Sequence, residues 1–93
     1  MTDSDNTQKV PTVEPGDWIS FGGGILPKDA VVCSVGSDYI EVVYLDNGKK
    51  AISEDMIWKD GKWQFKIEGT NGGYADNSDR LKSYVAQLKR GRY

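Results

Sequence analysis

The chain predicts a mostly β domain, a small five-stranded barrel followed by a short C-terminal α-helix. Three observations carry that expectation. Between residues 14 and 67, short β-branched and aromatic runs alternate with glycine- and aspartate-bearing turn signals. Two dipeptides, Asn47-Gly48 and Asp60-Gly61, supply the positive backbone angles that tight hairpins need. After residue 76 the apolar spacing lengthens to three and four residues, at Leu81, Tyr84, Val85 and Leu88, which is the period of a helix with one apolar face.

The elements follow in order. Residues 1–13 are polar, with little to bury, and read as a flexible arm. Pro15-Gly16-Asp17 is a turn, and Trp18 to Phe21 is the first strand of a barrel over residues 14–67. Gly22-Gly23-Gly24 opens a loop reaching Pro27-Lys28-Asp29. Ala30 to Val35 and Tyr39 to Leu45 are strands, joined by Gly36-Ser37-Asp38. Lys49 to Ser53 returns as a shorter strand, and Glu54 to Ile57 reads as one tight helical turn. Trp58-Lys59 and Lys62 to Ile67 form the last hairpin. In its return strand Trp63, Phe65 and Ile67 share a face opposite Gln64 and Lys66. Residues 68–76 are a linker. Residues 77–93 are a basic amphipathic helix, with Asn77 or Ser78 as its cap and Gly91 as its stop.

Composition narrows the chemistry. The 93 residues include 1 Cys and no His. Without histidine no Ser–His or Cys–His pair forms, and a zinc site built on histidine or on several thiolates is excluded. Cys33 stands among valines and reads as a small buried hydrophobe. The acids Asp17, Asp38, Glu54 and Asp55 fall in turns or side by side, so no pair is spaced for acid–base work. The glycine triplet lacks the Gly-Lys-Ser/Thr of a phosphate loop. No enzyme, cofactor or metal is expected. Nor is any membrane span, and a cytoplasmic protein is the simplest reading.

Charge is divided unevenly. Residues 1–79 hold 14 acids and 7 bases, a net −7, whereas residues 80–93 hold Arg80, Lys82, Lys89, Arg90 and Arg92 and no acid. Either the basic helix lies against its own acidic barrel or it seeks an anionic partner.

The aromatics supply most of the core's large surface. On a regular strand Ile40, Val42 and Tyr44 face one way and Tyr39, Glu41, Val43 and Leu45 the other. Tyr39 and Tyr44 are therefore not both core, and one or two rings are expected at an exposed rim. Phe21, Tyr39, Tyr44, Trp58 and Tyr74 are the candidate contacts. Exposed rings anchor proteins, hold cations or stack bases.

Val42-Val43-Tyr44-Leu45-Asp46-Asn47-Gly48 resembles a strand-and-turn of the Tudor domains, one group among the SH3-like barrels. Gly16-Asp17 before Trp18, the AVVCSV strand, and Ser53-Glu54-Asp55-Met56-Ile57, similar to a short Leu-Ser-Asp-Leu closing element, extend the likeness over residues 16–58. The resemblance implies an SH3-like barrel. For the methyl-reading members it implies an aromatic cage, in which Tyr44 matches one position and Trp18 or Phe21 another. Two further cage positions fall near Leu26 or Pro27 and at Asn47, which are not aromatic.

Taken together these features predict a non-catalytic protein-binding module with an aromatic rim on an acidic body. Two alternatives stand beside it. One is a nucleic-acid-binding module using Arg80, Lys82, Lys89, Arg90 and Arg92, against which the pI of about 5.0 counts. The other is a self-assembling structural subunit.

Overall fold

A computed structural model describes residues 10–22, 27–46, 48–67 and 72–92. Six strands and one helix follow each other: β1 (Trp18–Phe21), β2 (Lys28–Val35), β3 (Ile40–Asp46), β4 (Lys50–Lys59), β5 (Lys62–Phe65), β6 (Gly73–Tyr74) and α1 (Lys82–Arg90). The first five pair antiparallel in the order β1-β2-β3-β4-β5 and curl into a half-barrel, and β6 pairs with β4. This is the mostly β architecture with a C-terminal helix that the turn spacing predicts.

The sheet is apolar on both faces. Ile19, Phe21, Val32, Ile40, Val42, Tyr44, Ile52, Met56 and Trp63 fill the concave side, with Val13, Trp58 and Phe65 packed on them. Val31, Cys33, Val43 and Ala51 form the convex side, where Leu81, Val85 and Leu88 of the C-terminal segment cover them. The alternation along β3 explains the two layers: Val42 and Val43 point to opposite faces, and both are fully buried. Each buried valine contributes about 1.5–3 kcal/mol of burial energy. A register shift between Val32 and Ser34 places a bulge at Cys33, which adds to the curl.

The Asp60-Gly61 hairpin forms as its sequence predicts, with φ of 56° and 77° at the two residues. Gly48 has φ 74°, and Lys49 donates its N–H to the Asp46 carbonyl at 3.1 Å; Asn47 lies outside the described residues.

Two local expectations are corrected. Glu54 to Ile57 is not a helical turn but the middle of the ten-residue β4. Its backbone is held by β3 through Val42↔Glu54 and Ile40↔Met56, and on the other edge by β5 from Met56 onward and the Lys66 N–H on the Asp55 carbonyl, while β6 pairs with Ile52 and Ser53 just before it. Pairing on both edges outweighs the weak strand propensity of Glu and Asp. The helix begins at Lys82, not 77, and neither Asn77 nor Ser78 caps it. Leu81 occupies the cap position and no side chain bonds there. Residues 76–81 run instead through consecutive turns, with the Leu81 N–H donated to the Ser78 carbonyl at 3.2 Å. Gly91 does end the helix, at φ 94°, its N–H shared between the Gln87 and Leu88 carbonyls.

Among the described residues no helix is long and apolar enough to cross a membrane.

Candidate functional site

The five aromatic candidates separate into three places. Phe21 and Tyr44 are buried at the concave face, where Phe65 joins them. Phe21 meets Tyr44 edge-on at 5.1 Å between ring centroids, and Phe65 lies 5.5 Å from Phe21 and 6.1 Å from Tyr44. Lys28, opposite Phe21 in the β1–β2 ladder, sets its ammonium 5.5 Å from the Tyr44 centroid. Burial, followed by the charges of Glu54 and Asp46, raises the Tyr44 phenol above its ordinary pKa.

Tyr39 and Trp58 come together at one mouth of the half-barrel. Trp58 packs edge-on against Trp63 at 5.2 Å, the two being paired across the β4–β5 hairpin. A cavity of about 80 Å³ lies there, lined by Val10, Val35, Tyr39, Ile40, Trp58 and Trp63 among others. Three of these large apolar residues are exposed: Val10 (54%), Val35 (48%) and Tyr39 (39%). The buried Trp58 indole N–H has no acceptor among the described residues. The Lys66 ammonium covers the Tyr39 ring at 4.0 Å, and Asp38 adds a carboxylate to the cavity's lining.

Tyr74 stands apart on β6, 68% exposed, with the Lys50 ammonium 5.5 Å from its ring. Each of the three tyrosines thus has one of the protein's own lysines over its face, a cation–π arrangement repeated at separate sites.

The mouth residues that sequence reasoning missed are Val10 and Val35. Val35 ends β2 just before the Gly36 turn, so a β-branched residue at a strand terminus was the available signal. Val10 lay in a segment with no periodicity. The 22–24 glycine loop falls largely outside the described residues.

The basic candidates are mostly engaged. Arg80 holds Glu41 by two bonds, Lys89 holds Asp76 at 2.6 Å, and Arg92 reaches Asp29 at 3.1 Å. Lys82 and Arg90 remain exposed on α1. Of the two sequence readings of the charge split, the helix lies against its own acidic barrel.

No family model, curated protein or solved structure matches the chain.

Of the positions suggested by the Tudor resemblance, Tyr44 and Phe21 come together on the concave face, and Trp18 does not join them. Trp18 packs on the convex cluster beneath the helix, whereas Phe21 and Tyr44 belong to the concave one. Leu26 and Asn47 lie outside the described residues. Chemically, the described surface offers apolar contact, ring faces and single charges. Among the described residues no three His, Cys, Asp or Glu side chains gather as metal ligands. Cys33 is buried, its thiol pushed up to about 12 chiefly by burial and next by the Glu41 charge, so it is not a nucleophile near neutral pH.

Proposed function

We propose that this chain is a non-catalytic protein-binding module built on a small barrel of the SH3-like kind, and that it contacts its partner through the mouth where Tyr39 and Trp58 meet. The observation carrying this reading is the gathering of Val10, Val35 and Tyr39, all exposed, around the half-buried Trp58 at one cavity. Single exposed apolar residues are ordinary on a protein surface; several around a Trp-floored cavity mark a contact site. The Trp58 indole N–H, without an acceptor among the described residues, adds a donor to the same lining. The acidic body supports a partner segment that carries positive charge.

The test is affinity capture from a cell lysate on immobilised protein, with wild type and Tyr39→Ala compared after low-salt and high-salt washes. A protein retained by wild type at high salt and lost with Tyr39→Ala is the expected result. Equal retention by both proteins, or nucleic acid eluting as salt rises with no protein beside it, overturns the reading.

A further inference from the structure

The half-barrel leaves a seam between its two terminal strands. β1 and β5 stand at opposite ends of the strand order and approach each other, yet no backbone ladder joins them among the described residues. The direction of the unused groups on β5 follows from its turn. A two-residue hairpin loop makes the flanking pair, Lys59↔Lys62, a hydrogen-bonded one. Bonded and non-bonded pairs then alternate, so Ile57↔Gln64 is bonded, and the Lys66 N–H donated to the Asp55 carbonyl at 2.9 Å continues the series. Trp63 and Phe65 fall between these pairs. Their backbone N–H and C=O groups therefore point away from β4, into the seam.

Such an edge is ordinarily guarded, and β5 has two guards: it is only four residues long, and it carries Lys62. Neither accounts for the groove alongside. A cavity of about 280 Å³ lies there, lined by Phe21, Gly22, Lys62, Trp63, Gln64 and Phe65. Its floor is apolar and its backbone rim is polar, the combination that binds an extended peptide by strand addition. Charge selects the peptide. Lys62 lines the groove, and Lys28 lies beyond Phe21 with its ammonium over Tyr44. Neither has a carboxylate partner among the described residues, although the chain up to residue 79 carries a net −7.

We propose that the β1–β5 seam is a docking site for an extended acidic segment of a partner protein, which adds to β5 as a further strand. Backbone bonds run to Trp63 and Phe65. Alternate apolar side chains of the segment rest on Phe21 and Phe65, and its acids meet Lys62 and Lys28. A second copy of this chain is a poorer occupant, because edge-to-edge pairing brings two lysine-bearing strands together. This surface differs from the Tyr39 mouth and does not depend on it.

The test uses a display library of random linear nonapeptides panned against the full chain, and a synthetic copy of the strongest binder. Enrichment of peptides with Asp or Glu beside alternating apolar residues is expected. Amide exchange at Trp63 and Phe65 should then slow on binding by about tenfold or more, as expected for N–H groups newly paired in a ladder. Lys62→Glu or Lys28→Glu, each checked for folding by circular dichroism, should weaken binding about tenfold, while Tyr39→Ala leaves it unchanged. Failure to enrich any peptide, enrichment of basic peptides, or binding that leaves exchange at Trp63 and Phe65 as it was overturns the proposal. Loss of binding with Tyr39→Ala but not with the lysine variants assigns the peptide to the mouth and overturns it equally.

Discussion

Arg80 grips Glu41 with two parallel hydrogen bonds, Nη1 to Oε1 at 2.7 Å and Nη2 to Oε2 at 2.8 Å, across 39 residues of sequence. This fork pins the turn before α1 to the start of β3. Ser34 adds a third, longer bond to Oε1 at 3.4 Å. The Arg80 bonds are the main cause holding the Glu41 carboxyl below its ordinary range, partly offset by burial.

A pH dependence follows, and its sign is fixed by that direction. The unfolded chain binds a proton at Glu41 more tightly than the folded one. The stabilisation is complete above the unfolded value of about 4.3 and is lost as pH falls through the lower folded value. Asp76, held down first by Lys89 and then by the Ala51 N–H, acts in the same sense. Urea midpoints compared at neutral and acidic pH should fall for wild type, and Glu41→Gln should begin lower and fall less. Parallel curves for the two proteins would refute the assignment.

Docking of α1 is a matter of burial. A nine-residue helix is marginal alone. Here Leu88 and Val85 are buried against Val31, Val43 and Ala51. Leu88→Ala should cost about 2–5 kcal/mol, measured by urea denaturation. Ser83→Ala, on the exposed face, should be near neutral. If Leu88→Ala is as mild as Ser83→Ala, the helix is not part of the core.

That helix face was readable in advance because Leu81, Tyr84, Val85 and Leu88 recur at one period and all four pack on the sheet. The two-faced character of β3 was readable too: Tyr44 is core and Tyr39 is at the rim, as the alternation requires. The continuation of β4 through Glu54 and Asp55 was not, because it depends on partners far along the chain. Tyr74 pairs with Ile52 and Phe65 with Met56, and no local signal at 54–57 reports either. The site was half legible for the same reason. Aromatic content announced a rim, but which rings share a mouth is decided by the curl.

Gly72 offers a sharper test of that long-range pairing. It has φ 66°, and a Cβ there would come within 2.7 Å of the Ile52 side chain and 2.8 Å of a Glu54 carboxylate oxygen, besides the Ser53 carbonyl. Gly48 has a similar φ of 74°, with nothing among the described residues within 4 Å of its Cβ position. Gly48→Ala should therefore show the backbone penalty alone, about 1–2 kcal/mol. Gly72→Ala should add the clash and be clearly worse. Equal thermal midpoints for the two variants would mean that β6 does not approach β4 this closely.

Cys33 should be silent to thiol reagents in the native state. Its thiol lies on the convex face under the helix layer, donates to the Val31 carbonyl at 3.7 Å and is pushed up to about 12. Titration with a disulfide reagent at pH 8 should give one reactive thiol in guanidinium and none in buffer. Rapid reaction in buffer would show the convex cluster opening, and the same measurement on Leu88→Ala should accelerate if the helix is the cover.

The basic C-terminal segment bears directly on nucleic acid. Arg80, Lys89 and Arg92 already face Glu41, Asp76 and Asp29, so using them for phosphates means giving up those ion pairs. Lys82 and Arg90 remain, and two phosphate contacts predict a slope of about −1.8 for log affinity against log salt on duplex DNA. Five contacts predict about −4.5. Fluorescence anisotropy with a labelled duplex across a salt series separates the two. No binding, or a slope near the smaller value, is expected of a helix committed to its own barrel. A slope near the larger one would mean that the helix releases its carboxylate partners on binding, and would make nucleic acid the better reading of this domain.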